Sequence, residues 1–178
     1  AHFHFVCYQD LQHYAKRTEM DHAQLIELYK RRYNTLPIKD PKEIGNILLA
    51  EMDRVGIQYL TLLPREGSEQ YCWETAQTDP NRLLNFIRIN PVKKADVKKL
   101  EFAIKEYDVK AFKFVPPAMD FHAYDPRAYA VYEVAQENQL PILVHMGVYG
   151  RRDIADMRFA NPLDVQPVAR DFPDIPWI

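Results

Sequence analysis

The chain has 178 residues, 47% hydrophobic and 27% charged, enough for one ordinary domain with a sizeable core and unlike a disordered segment. A net charge of -2 and a pI near 6.3 exclude the electrostatic footprint of a nucleic-acid binder or of a protein held on an acidic membrane. Two cysteines make no disulfide framework, so a cytoplasmic setting is expected, and no run approaches the ~20 apolar residues of a membrane span.

Residues 1–6 alternate histidine with small or apolar residues at a period of two, which predicts a strand with His2 and His4 on one face. The chain opens at Ala1 without methionine and stops at Trp177-Ile178 as an apolar run begins, so part of a longer protein is expected. Residues 7–39 are hardest to read. Asp21 followed by Leu25, Ile26, Leu28 and Tyr29 predicts a helix ended by Pro37, and so long an excursion after a first strand suggests an insertion or lid.

From Asp40 the punctuation is clear. Asp40 as cap, Pro41 at the first helical position and Gly56 as C-cap frame a helix whose stripe is Ile44, Ile47, Leu48 and Val55. A strand over 57–63 ends at Pro64, and a helix over 69–78 buries Cys72, Trp73 and Ala76. Strands over 83–89 and 109–115 flank a helix over 95–107 with Val97, Leu100 and Ile104 on one side. Asp125-Pro126 starts a helix to about 138, a strand over 141–145 follows, and Asn161-Pro162 precedes a last helix carrying Val165 and Val168. A sixth strand is expected to begin at Ile175.

This alternation predicts right-handed βαβ units and a parallel sheet. With five glycines in all and no glycine-rich loop after a strand, a dinucleotide-binding domain is disfavoured. A (β/α)8 barrel takes about 250 residues. The prediction is therefore α/β: a single, partial TIM barrel over 1–178, holding the first five strands and the start of the sixth.

In such a barrel the chemistry lies at the C-terminal ends of the strands. His145 ends its strand, as His2 and His4 do theirs, and three imidazoles with an open position describe a catalytic metal site. The bland alternative for His2 and His4 is a pair of partly buried strand histidines. A bound metal would polarise a substrate oxygen or lower the pKa of its water to about 7.

Ala1-His2-Phe3-His4 resembles the His-x-His opening of the amidohydrolase superfamily. The closer resemblance is to the amidohydrolase-related branch that holds hydrolases and metal-dependent decarboxylases such as aminocarboxymuconate semialdehyde decarboxylase. It is carried by Phe112-Lys113-Phe114 with Pro116-Pro117, by Asp125-Pro126-Arg127, and most specifically by Leu140-Pro141-Ile142-Leu143-Val144-His145-Met146-Gly147. The resemblance implies that His2, His4 and His145 hold a divalent metal, Zn²⁺ first and Mn²⁺ among the alternatives. It implies catalytic residues on later strands, beyond Ile178, and a fragment inactive by itself. A hydrolase in which metal-activated water attacks a carbonyl carbon is the leading expectation. A nonoxidative decarboxylase of a small unsaturated or aromatic acid is the alternative, and a noncatalytic metal- or partner-binding barrel the third.

Lys113 shares a strand face with Ala111 and Val115, where a charge is expensive without a task. It either lines the pocket to meet a substrate carboxylate or a further acid, or is a partly exposed structural lysine; Arg88 is the weaker candidate for the same role. The expected partner is a small molecule, with neither nucleic acid nor membrane, and association into a homo-oligomer is left open. His13, His22 and His122 read as surface residues, and Cys7 as a buried thiol.

Overall fold

The computed structural model describes residues 2–4, 19–33, 39–148 and 155–178, and of residues 2–4, 22, 32 and 33 only the backbone. Cys7, His13 and most of the expected lid over 7–39 lie outside the described residues. The chain divides into two compact units, Ala1–Asn85 and Phe86–Ile178.

In the first unit, β1 (His2–His4) pairs in parallel with β2 (Leu60–Leu63), which pairs in parallel with the start of β3 (Leu83–Arg88). Helix α1 (His22–Tyr33) begins as expected at Asp21, whose carboxylate accepts the Gln24 N–H while the Gln24 side chain accepts the Asp21 N–H. That reciprocal pair satisfies two of the amides a helix start leaves open. Helix α2 (Pro41–Val55) has the expected frame: Asp40 accepts the Lys42 N–H at 2.9 Å, and Gly56 leaves the helix at φ +74°. The amides of Gly56 and Ile57 return to the carbonyls of Asp53 and Met52, closing a Schellman motif that needs a left-handed residue.

The buried face of α2 differs from the expected stripe. Ile47 and Val55 are about half exposed; Gly45 and Met52 are buried, with Ile44, Leu48 and Leu49 packed on the core. The cause is a close approach at Gly45, where a Cβ would lie 2.1 Å from Thr78 Oγ1. Helix α3 (Glu69–Ala76) presses against that side of α2 and buries Tyr71, Cys72 and Ala76.

In the second unit, the end of β3 pairs in parallel with β4 (Ala111–Phe114), and β4 with β5 (Ile142–Val144). Helix α4 (Lys94–Tyr107) joins β3 to β4. A 3-10 turn at Pro126–Ala128, capped by Asp125, leads into α5 (Tyr129–Glu137). A second, at Pro162–Asp164 and capped by Asn161, leads into α6 (Val165–Asp171). The expected beginning of a sixth strand is present: Ile142 and Val144 donate to the carbonyls of Pro176 and Ile178, and Trp177 forms a parallel bridge with Ile142.

The core of this unit is aromatic. Tyr132 is fully buried among Phe114, Phe172 and Trp177, with ring centroids 5.4 to 6.0 Å apart, and its hydroxyl donates to the Ala123 carbonyl at 2.8 Å. Burial pushes the pKa of that hydroxyl well up, so it remains a donor.

Candidate functional site

All four residues of β4 are buried, but they face two ways. Phe112 and Phe114 enter the aromatic core, so Ala111, Lys113 and Val115 point to the other side of the strand. Lys113 is 4% exposed, so it is buried and not a partly exposed lysine. In the parallel register Arg88 stands opposite Lys113, and Leu143 stands opposite it on the far side. Adjacent strands lie ~4.8 Å apart, and residues in register project to one face. His145, two residues past Leu143, returns to that face. Its amide donates to the Phe114 carbonyl at 3.1 Å, carrying the ladder one step beyond β5.

The second unit thus brings Arg88, Lys113 and His145 to one strand-end cluster, and their electrostatics are linked. Burial first, then the Arg88 charge, holds Lys113 below the ordinary lysine value of 10.5. Burial is also the main cause that lowers His145 below 6.5; Lys113 and Arg88 lower it further, against a hydrogen bond with the Val148 backbone that raises it. A depressed pKa leaves the imidazole neutral near pH 7, the form with a lone pair for a metal. Among the described residues no carboxylate is paired with Lys113. Lys113 and Arg88 are thus two cations in register, with no carboxylate beside Lys113 among the described residues.

His2 and His4 stand in register with Thr61 and Leu63. They occupy i and i+2 of β1, and therefore one face, as expected; their side chains are outside the described residues. Among the described residues no group of three His, Cys, Asp or Glu side chains forms a metal cluster.

A shallow depression among Met52, Gly56, Tyr59 and Arg82 lies where β2 and β3 begin, away from the ends that carry this chemistry. Arg82 is occupied there by Asp53 at 2.7 Å and by the carbonyls of Ile57 and Gln58. His122, expected at the surface, is instead partly covered, with Nδ1 2.6 Å from the buried carboxylate of Asp164. No local motif joins residues 42 positions apart, so the sequence carried no signal for that couple.

The comparisons with known proteins accord with this architecture. The amidohydrolase family pattern matches residues 1–178. No curated protein matches. Among solved structures, 5-carboxyvanillate decarboxylase of Sphingomonas paucimobilis is similar with a TM-score of 0.61 at 13% identity, over 99% of this chain and 65% of that one. A variant of the Novosphingobium aromaticivorans 5-carboxyvanillate decarboxylase, holding manganese and 3-methoxy-4-hydroxy-5-nitrobenzoic acid, gives 0.63 at 11% identity over 99% and 63%. An uncharacterised TIM-barrel protein of Bordetella bronchiseptica gives 0.59 at 19% identity over 74% and 49%. The chain therefore spans between about half and two thirds of the length of these structures, and its fold is that of a partial TIM barrel. The chain belongs to the amidohydrolase family.

Proposed function

We propose that this amidohydrolase-family chain belongs to a metal-dependent enzyme acting on a small carboxylate, and that the reaction is nonoxidative decarboxylation of an unsaturated or aromatic acid. The observation that carries the reading is buried Lys113, in register with Arg88 and electrostatically linked to His145, with no described carboxylate of its own. The relatives that hold manganese with a nitrobenzoic acid, or are named decarboxylases, support the same class of substrate.

His2, His4 and His145 are the proposed metal ligands. The donors fit: two histidines alternate on one strand face, and the third is held neutral by burial and by its cationic neighbours. A divalent ion bound there, Zn²⁺ or Mn²⁺, supplies positive charge that orients and polarises a substrate oxygen. Lys113 and Arg88 act as the anchor. Two cations on the departing carboxylate would oppose loss of CO₂, because the charge they stabilise disappears in the transition state. They therefore hold a second, non-reacting acidic group and orient the substrate by charge-assisted hydrogen bonds.

Hydrolysis is the second reading, favoured by the family's description. The same anchor would then present a carbonyl carbon to water. The test is CO₂ release from hydroxylated and dicarboxylated benzoates, set beside lactone and amide hydrolysis, by the metal-loaded full-length protein. CO₂ release that disappears in His145→Ala is the expected result; hydrolysis without CO₂ release would replace the reaction. Undiminished metal content in His2→Ala, His4→Ala and His145→Ala alike would overturn the ligand set.

A further inference from the structure

The couple of His122 and Asp164 has no part in the chemistry proposed above. Asp164 is buried, its side chain 8% exposed, against 38% for His122. A carboxylate so placed needs a donor, and His122 Nδ1 supplies it at 2.6 Å. Both partners sit on fixed backbone. Phe121 and Ala123 on either side of His122 are buried, and Asp164 closes the capped turn that enters α6.

The contacts continue from the imidazole toward the strand-end cluster. The His122 ring stacks on Tyr124, with centroids 5.0 Å apart, and meets Phe159 edge-on at 4.9 Å. Ala160, next in the chain, accepts the Gly147 N–H at 2.8 Å, while the Asp156 N–H donates to the Pro117 carbonyl at 2.7 Å. Gly147 holds φ +82°, a conformation glycine takes at little cost. It lies within the turn in which His145 hydrogen-bonds the Val148 backbone. Residues 155–164 therefore form a brace, with one side against the chain that follows β4 and the other against the turn that carries His145.

We propose that the His122–Asp164 couple is a positioning device that locks this brace and so holds the His145 imidazole in one orientation for its metal. The proposal rests on the reading of His145 as a ligand. Groups hydrogen-bonded directly to a ligating imidazole typically change metal affinity by about 10- to 100-fold when lost, and a couple that acts through the intervening turn is expected at the low end of that range.

Two substitutions separate the donor from the ring. His122→Phe keeps an aromatic ring between Tyr124 and Phe159 but cannot donate; His122→Asn gives up the ring but places an amide N–H close to the Nδ1 position. The full-length protein is titrated with Mn²⁺ by calorimetry, and amide exchange is followed at Gly147 and, as a control for the sheet, at Phe112. His122→Phe is expected to weaken Mn²⁺ binding about 10-fold and to speed exchange at Gly147 while Phe112 stays slow. His122→Asn should stay near wild type on both. His122→Phe equal to wild type, or His122→Asn as impaired as His122→Phe, overturns the device. If His122→Phe also loses protection at Phe112, Asp164→Asn decides by the same readouts, with a smaller effect of the same sign expected. A wild-type protein that binds no Mn²⁺ defeats the ligand assignment separately, and exchange at Gly147 then decides the brace alone.

Discussion

Arg82 and Lys113 are both long cations set beside strands, one where β3 begins and one near where β4 ends, and they are treated differently. Arg82 has 29% of its side chain in solvent, an Asp53 carboxylate at 2.7 Å and two backbone carbonyls, so it ties the end of α2 to the start of β3. Lys113 is buried, and the charge that most affects it is another cation, Arg88. The scaffold completes the surroundings of Arg82. Among the described residues no carboxylate completes those of Lys113, which lies near a strand end close to His145. A charge neutralised by its neighbours in the fold needs no further account; a buried one with no carboxylate beside it among the described residues is where the proposed anchor can be tested.

The largest effect that would break this comparison is on substrate binding. Lys113→Met should raise KM for a carboxylate substrate by about 10- to 100-fold, the equivalent of roughly 1.5–3 kcal/mol for a charged hydrogen bond. Arg82→Met should leave kcat/KM unchanged, and steady-state kinetics on both variants decide it.

Stability should move in opposite directions. Lys113→Met removes a buried charge in favour of an apolar side chain of similar length, and a gain of about 1–2 kcal/mol in urea unfolding at pH 7 is expected. Arg82→Met loses hydrogen bonds to two carbonyls, and a loss of about 1 kcal/mol is expected. Equal losses in both variants would make Lys113 a structural lysine after all.

The difference between wild type and Lys113→Met should also depend on pH. The folded-state pKa of Lys113 lies below the ordinary 10.5, so between the two values the unfolded chain binds more protons. The cost of burying this charge is fully present below the folded pKa. It is relieved as pH rises through that window, and the stability gap between the variants should narrow from pH 7 toward pH 10. The smallest effect is that of Asp53→Asn, at about 0.5 kcal/mol, because that carboxylate is 66% exposed.

Much of the fold was legible because proline, glycine and aspartate mark its joints. Asp40-Pro41, Asp125-Pro126 and Asn161-Pro162 each open a helical segment as expected, and Gly56 closes one. The strands are shorter than the expected ranges, Leu60–Leu63 against 57–63 and Ala111–Phe114 against 109–115, because those ranges begin before the first laddered residue and, at Val115, run one past the last. The buried face of α2 was misread because Gly45 contributes nothing to an apolar stripe. It is the missing Cβ that lets the neighbouring chain approach.

By itself the sequence determined the parallel alternation, the strand ends that carry His4 and His145, and the face of β4 to which Lys113 belongs, since these follow from local periods of 2 and 3.6 residues. Tertiary structure alone decided that Arg88 stands in register with Lys113, that the lysine is buried, and that His122 meets Asp164. Register and burial are properties of which strands and loops pack together, and no period within one segment encodes its neighbour.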